Sequence, residues 1–168
     1  RARGDSANAA REFEAALAGG TRNAFRVLSE RAQMRRSAKD DAGFVRELVA
    51  IWTRFPALAA EAGDHGPLGT LCRLLARNKA PELKAALLDL TALSGESAWA
   101  RETLADLLIA EGDLAGAFKL LSQAVFIAPF KAPDRLNAEL FDKLIACAEK
   151  LDLGVEAARA RKVRAACK

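Results

Sequence analysis

A chain of 168 residues, half of them apolar, can bury a sizeable core, which excludes disorder throughout its length. Its apolar half is mainly alanine and leucine, with 38 alanines, 5 prolines and no tyrosine, so strong helix formers dominate and an all-α fold is expected. The net charge of +4 is patterned: residues 1–84 hold 15 basic against 10 acidic side chains, residues 85–158 hold 6 against 12, and the last ten hold 5 basic and none acidic. Two basic ends thus flank an acidic centre, which bears on association rather than on fold.

Taken in order, Ser6 is placed to cap a first helix running to about Leu17, which Gly19-Gly20 breaks. Thr21 reads as the cap of a second, Asn23 to about Met34, with Phe25, Leu28 and Ala32 on one face. The polar stretch Arg35 to Asp41 reads as a connector. Ala42 to Arg54 then carries Phe44, Leu48, Ile51 and Trp52 at helical spacing, and Pro56 opens a short helical turn to Ala62. Gly63-Asp64-His65-Gly66 is a loop that ends on Pro67, the first residue of a helix whose buried face is Leu68, Leu71, Cys72 and Leu75.

Pro81 starts its partner, where Leu83, Leu87, Leu90 and Leu93 recur, and Ser94-Gly95 stops it. A helical pair follows over Ala98–Pro129, then a break at Ala132-Pro133-Asp134. Leu136 to Leu151 and Gly154 to Cys167 supply the last two helices. The whole reads as eight or nine helices in antiparallel hairpins, a single α-helical repeat domain over residues 1–168. Its parts are a basic N-terminal hairpin and connector (1–41), central hairpins (42–131) and a C-terminal hairpin with a basic end (132–168).

The pair at 98–129 carries a specific pattern. A large residue precedes a small one at Leu104 and Ala105, an apolar residue follows one turn on at Leu108, and Gly112 stands at the turn. Ala117 and Ala124 lie seven apart with Leu121 between them, and Pro129 closes the unit. Small residues let two helices approach closely, and glycine and proline punctuate the hairpin. In these eight positions the stretch resembles the tetratricopeptide repeat, a helix–turn–helix unit. It departs where the family often places Trp, since Arg101 stands there.

Elsewhere the match is partial: Ala85 and Ala92 keep the seven-residue spacing, and Ile145-Ala146 with Ala158 and Ala165 keep part of the pattern. A short irregular α-solenoid of stacked antiparallel hairpins, tetratricopeptide-like and in part HEAT- or armadillo-like over 67–93, is therefore expected. The resemblance implies a concave groove lined by the first helix of each pair. Carried onto this chain, its positions are Trp99, Glu102, Asp106, Ile109 and Ala110. Trp99 and Ile109 would anchor an apolar side chain of a protein partner, a peptide or a helix, and Glu102 and Asp106 would attract a basic one. Packing of Trp99 on the preceding hairpin is the alternative.

Groupings that carry chemistry are scarce. His65 is the only histidine and has no recognisable nucleophile beside it, so it reads as a loop imidazole. Gly63, Gly66 and Gly69 precede a helix but follow no strand and bring no lysine after them, unlike a phosphate cradle. Three dispersed cysteines and one histidine make no metal set, and no catalytic residue, cofactor or metal is expected. Arg3-Gly4-Asp5 is a three-residue match of the kind chance supplies.

The odd, scattered Cys72, Cys147 and Cys167 fit a reducing intracellular setting, in cytoplasm or an organelle matrix, and no window is long and apolar enough to span a membrane. The start on Arg1 is expected of a fragment or a processed product. Two basic clusters remain: Arg22, Arg26 and Arg36 near the start, and Arg161, Arg164 and Lys168 at the end. The sequence therefore points to a non-enzymatic protein-interaction scaffold or adaptor in a larger assembly. The alternative is an RNA-contacting component of a ribonucleoprotein, acting through the basic clusters.

Overall fold

Ala24, Val27, Leu28 and Ala32 recur at three- and four-residue steps, and all four are buried on one side of α1 (Thr21–Ser37). A computed structural model of the chain describes residues 21–95, 97–127 and 136–166. The helix expected from Ser6 to Leu17, the Gly19-Gly20 break, Pro129, the break at 132–134, Cys167 and Lys168 lie outside the described residues. Among the described residues every regular element is helical. They fall into two compact units, divided after Lys79.

In the first unit α1 outruns its expected end. Thr21 is already helical rather than a preceding cap, and Arg35 and Arg36, assigned to a connector, complete the last turns. Arginine is a strong helix former, so nothing stops the helix until the backbone does. The stop is a left-handed residue, Lys39, with φ of 57°. Its N–H donates to the Arg36 carbonyl at 3.0 Å, and the Asp40 N–H donates to that of Arg35 at 2.9 Å, which together form a Schellman motif. The Asp40 carboxylate then accepts from the Gly43 N–H at 2.8 Å and so caps α2 (Asp41–Arg54).

Phe44, Leu48 and Ile51 of α2 are buried as their spacing predicts, and α2 packs on α1. A five-residue helix, α3 (Pro56–Ala60), leads to a 3₁₀ turn (Gly63–His65) and α4 (Pro67–Arg77), which buries Leu68, Leu71, Cys72 and Leu75 against α2 and α3. Glycine at 69 is required by close approach: a Cβ there would lie 2.5 Å from the Gly63 carbonyl oxygen and 2.6 Å from the Asp64 backbone.

The Asp40 cap gives this turn an acid dependence. The Gly43 N–H, foremost, holds the Asp40 carboxyl below its ordinary value of 3.8, with Arg35 and Arg46 adding to the effect against the cost of desolvation. A carboxyl lowered in the folded state stabilises fully above its ordinary value and loses that contribution as pH falls through the lowered one. Asp40→Asn keeps an oxygen for the Gly43 N–H but no charge. At neutral pH the parent chain should therefore be the more stable in urea, with the gap closing below pH 3.8. A gap that stays constant across that range would refute the account.

In the second unit α5 (Leu83–Leu93) begins two residues after Pro81 and buries Leu83, Ala86, Leu87 and Leu90. Leu93 is half exposed, and Ala85 and Ala92 face solvent, so their seven-residue spacing marks no packed face. The Ser97 hydroxyl accepts from the Ala100 N–H at 2.9 Å and caps α6 (Ala98–Glu111). Gly112, at φ of 85°, ends α6 with the same Schellman pair: its N–H donates to the Ile109 carbonyl at 3.1 Å, and that of Asp113 donates to Leu108 at 2.9 Å. Asp113 then caps α7 (Leu114–Ile127) through the Gly116 N–H at 2.9 Å. Leu104, Ala105, Ala117, Leu121 and Ala124 are all buried, the last four in one cluster where α6 and α7 meet.

The last hairpin, α8 (Leu136–Lys150) and α9 (Gly154–Ala166), turns on Asp152 at φ of 57°. The Asp152 N–H donates to the Glu149 carbonyl at 3.1 Å, and that of Leu153 donates to Ala148 at 2.9 Å. Asp152 therefore stands where Gly112 stands in the preceding hairpin. That sets the register one residue earlier than the sequence suggested. Ala148, Ala157 and Ala160 are the buried small residues, whereas Ala146, Ala158 and Ala165 are exposed. Alanines on several faces of these helices left the register open to a one-residue slip.

Candidate functional site

The first-helix face implied by the repeat lies on α6. Trp99, Glu102 and Ile109 are half-buried there, while Asp106 and Ala110 are exposed. Ile109 also packs against the core shared by α6, α7, α8 and α9. The two acids are not left to a ligand alone. Lys143, on α8, donates from Nζ to Glu102 Oε1 at 2.8 Å and to Asp106 Oδ2 at 2.9 Å. Burial alone would lower the Lys143 pKa, but the two carboxylate bonds outweigh it and the net shift is upward. One cation between two carboxylates leaves this face with a single net negative charge and ties α8 to α6.

Arg101, at the position where the family often has Trp, points into the unit and is 7 % exposed. Its guanidinium donates to the Ser97 carbonyl at 2.9 Å, to the Thr91 carbonyl at 3.3 Å and to Gln123 Oε1 at 3.3 Å. Thr91 lies in the last turn of α5, where helix carbonyls lack intrahelical partners and the dipole favours a cation. A buried arginine thus joins α5, α6 and α7. The Thr91 and Gln123 partners of Arg101 and the Glu102 and Asp106 partners of Lys143 could not be read from the sequence, because they come from other helices.

The basic clusters divide. Arg22, Arg26 and Arg36 are exposed on α1, with Arg26 3.8 Å from Glu30 and the Arg36 guanidinium 5.9 Å from the Phe44 ring centre. On α9, Arg161 is paired with Glu149, and Arg164 with Asp142 at 3.1 Å. Lys168 lies outside the described residues. The acids of α8 thereby take up part of the positive charge that the C-terminal end carries in sequence.

Two further concavities bear on chemistry. A cleft of about 460 Å³ in the second unit is walled by Phe118, Val125 and Phe126 of α7 and Val163 of α9, with Phe141 and Leu144 of α8 beneath. Phe126 is 78 % exposed. In the first unit a recess of about 140 Å³ gathers His65 with Ser29, Gln33, Arg36 and Thr70, and among the described residues neither a cysteine nor a carboxylate lines it. Cys72 and Cys147 are buried, and burial pushes the Cys147 thiol pKa up, away from the reactive thiolate. Among the described residues no group of three or more His, Cys, Asp or Glu is placed to hold a metal, and no helix is long and apolar enough to cross a membrane.

This arrangement of hairpins recurs in known structures. A crystal structure of the MamA protein superposes with a TM-score of 0.60 at 16% sequence identity, covering 88% of this chain and 74% of that one. A second crystal structure of MamA gives 0.57 at 17% identity, covering 82% and 74%. The fold is tetratricopeptide-like. No family model and no curated protein sequence matches the chain. At such identities the likeness is one of fold, an all-α assembly of antiparallel hairpins of the solenoid class.

Proposed function

We propose that the chain is a non-enzymatic protein-interaction scaffold or adaptor within a larger assembly, and that the first-helix face of α6 receives a segment of a partner protein. The observation that carries this reading is the repeat hairpin at 98–127 with Trp99 and Ile109 half-buried on one face, beside Glu102 and Asp106. A large aromatic that is packed on one side and accessible on the other is suited to anchor a partner side chain. The tetratricopeptide-like fold supports the same reading, since its hairpins build extended binding surfaces. Lys143 sets the charge of the face, so the attraction for a basic residue comes from one surplus carboxylate rather than two.

Native affinity purification with and without nuclease, read by mass spectrometry, tests this function. Protein partners should persist after nuclease, and Trp99→Ala should weaken their capture by about 2 kcal/mol, the scale of an interface anchor. Release of the partners by nuclease would favour RNA contact instead. Undiminished capture by Trp99→Ala in a folded chain would remove the groove from the account.

A further inference from the structure

The first unit holds a polar recess of about 330 Å³ between α1 and α2 that plays no part in the α6 face. Three arginines line it, Arg31 and Arg35 from α1 and Arg46 from α2, together with Gly43, Glu47 and Ala50. Among the described residues the one carboxylate in that wall is already engaged. Glu47 is 6 % exposed and accepts from Arg31 Nη2 at 2.7 Å. Arg35 donates to Asp40 at 3.0 Å. The Arg35 guanidinium has five N–H donors, so its bond to Asp40 does not exhaust it. Arg46 is exposed and makes no ion pair among the described residues.

We propose that this recess binds the carboxylates of an acidic segment of a partner protein. Among the described residues Glu47 meets Arg31 and Asp40 meets Arg35, which leaves Arg46 as the surplus positive charge beside an Arg35 already oriented by its ion pair. Such preorganisation lowers the cost of ordering the site on binding. Arg46 supplies the charge that remains to be met, and its fork is suited to bidentate contact with a carboxylate.

The composition of the wall favours protein over nucleic acid. Among the described residues no aromatic ring lines the recess, whereas proteins that hold single strands interleave stacking rings with their cations. The inference goes beyond the α6 reading, and the two can fail separately because they use different residues in different units.

Titration of the full chain with hexaglutamate, followed by calorimetry and by amide shifts of Gly43 and Ala50, tests the proposal. Binding should weaken as salt is raised, and Arg46→Gln and Arg35→Gln should each weaken it by about tenfold or more, the loss of one charge-assisted hydrogen bond. Arg22→Gln, an exposed arginine of α1 outside the recess, should leave affinity unchanged. Trp99→Ala should leave it unchanged too, which separates this site from the α6 face. Circular dichroism on each variant secures the folded state.

Equal losses from Arg22→Gln and Arg46→Gln would reduce the effect to net charge and overturn the proposal. So would the absence of binding. Parallel titrations with inorganic phosphate and polyuridylate distinguish the sources of negative charge. Tighter binding of either probe, lost with Arg46→Gln, would assign the recess to phosphate and overturn the assignment to an acidic protein segment.

Discussion

Replacing Arg101 by alanine is expected to cost about 3 kcal/mol of stability, far more than a surface arginine would. Arg101 is 7 % exposed, and its guanidinium donates to the backbone carbonyls of Thr91 on α5 and of Ser97, the cap of α6, and to the side-chain amide of Gln123 on α7. Truncation leaves the Thr91 and Ser97 carbonyls without that donor and opens a hole between α5, α6 and α7. Arg101→Lys should rescue little, because an ammonium on a shorter reach cannot span carbonyls that the planar fork meets together. Arg101→Met should recover packing but not the hydrogen bonds, and so fall between alanine and the parent. Guanidinium midpoints at constant slope would read these differences. Parent-like stability in Arg101→Lys would show that charge alone suffices and that the fork geometry is incidental.

Arg101 also shows where sequence reasoning stops. The small-and-large pattern of the 98–129 hairpin is local, so Leu104, Ala105, Ala117, Leu121 and Ala124 could be read directly as the packed face, and all are buried. Gly112 was legible for a similar reason: glycine is the residue that adopts a left-handed helix end without strain. Lys39 and Asp152 adopt that conformation without being glycine, and the helix end at Ser37 and the register of α9 were missed with them. Side-chain partnerships were the least legible. Lys143 meets Glu102 and Asp106 across 41 and 37 residues, and Arg31 meets Glu47 across 16. Periodicity places each of these residues on a helix face but does not say which face of which neighbour it meets. The α1–α2 recess was invisible for this reason, although every one of its arginines was in plain view.

Leu121→Ala is the second large effect, expected near 4 kcal/mol, within the range for a fully buried leucine. The expectation rests on what surrounds the side chain. Leu121 is completely buried, in a cluster with Ala105, Ala117, Ala124, Leu140, Phe141 and Leu144. Three of those neighbours are alanines on α6 and α7, which have no further reach with which to fill a vacated space. Backbone collapse is also opposed, since the same alanines already hold the helices close, so the cavity persists and its cost adds to the lost transfer energy.

Phe126→Ala on the same helix provides the contrast. Its ring is larger but 78 % exposed, so its removal should change stability by less than about 0.5 kcal/mol. Chemical denaturation of the two variants in parallel decides between burial and side-chain size as the determinant. Comparable losses from both would mean that Phe126 is covered in solution and that the cleft beside it is not open.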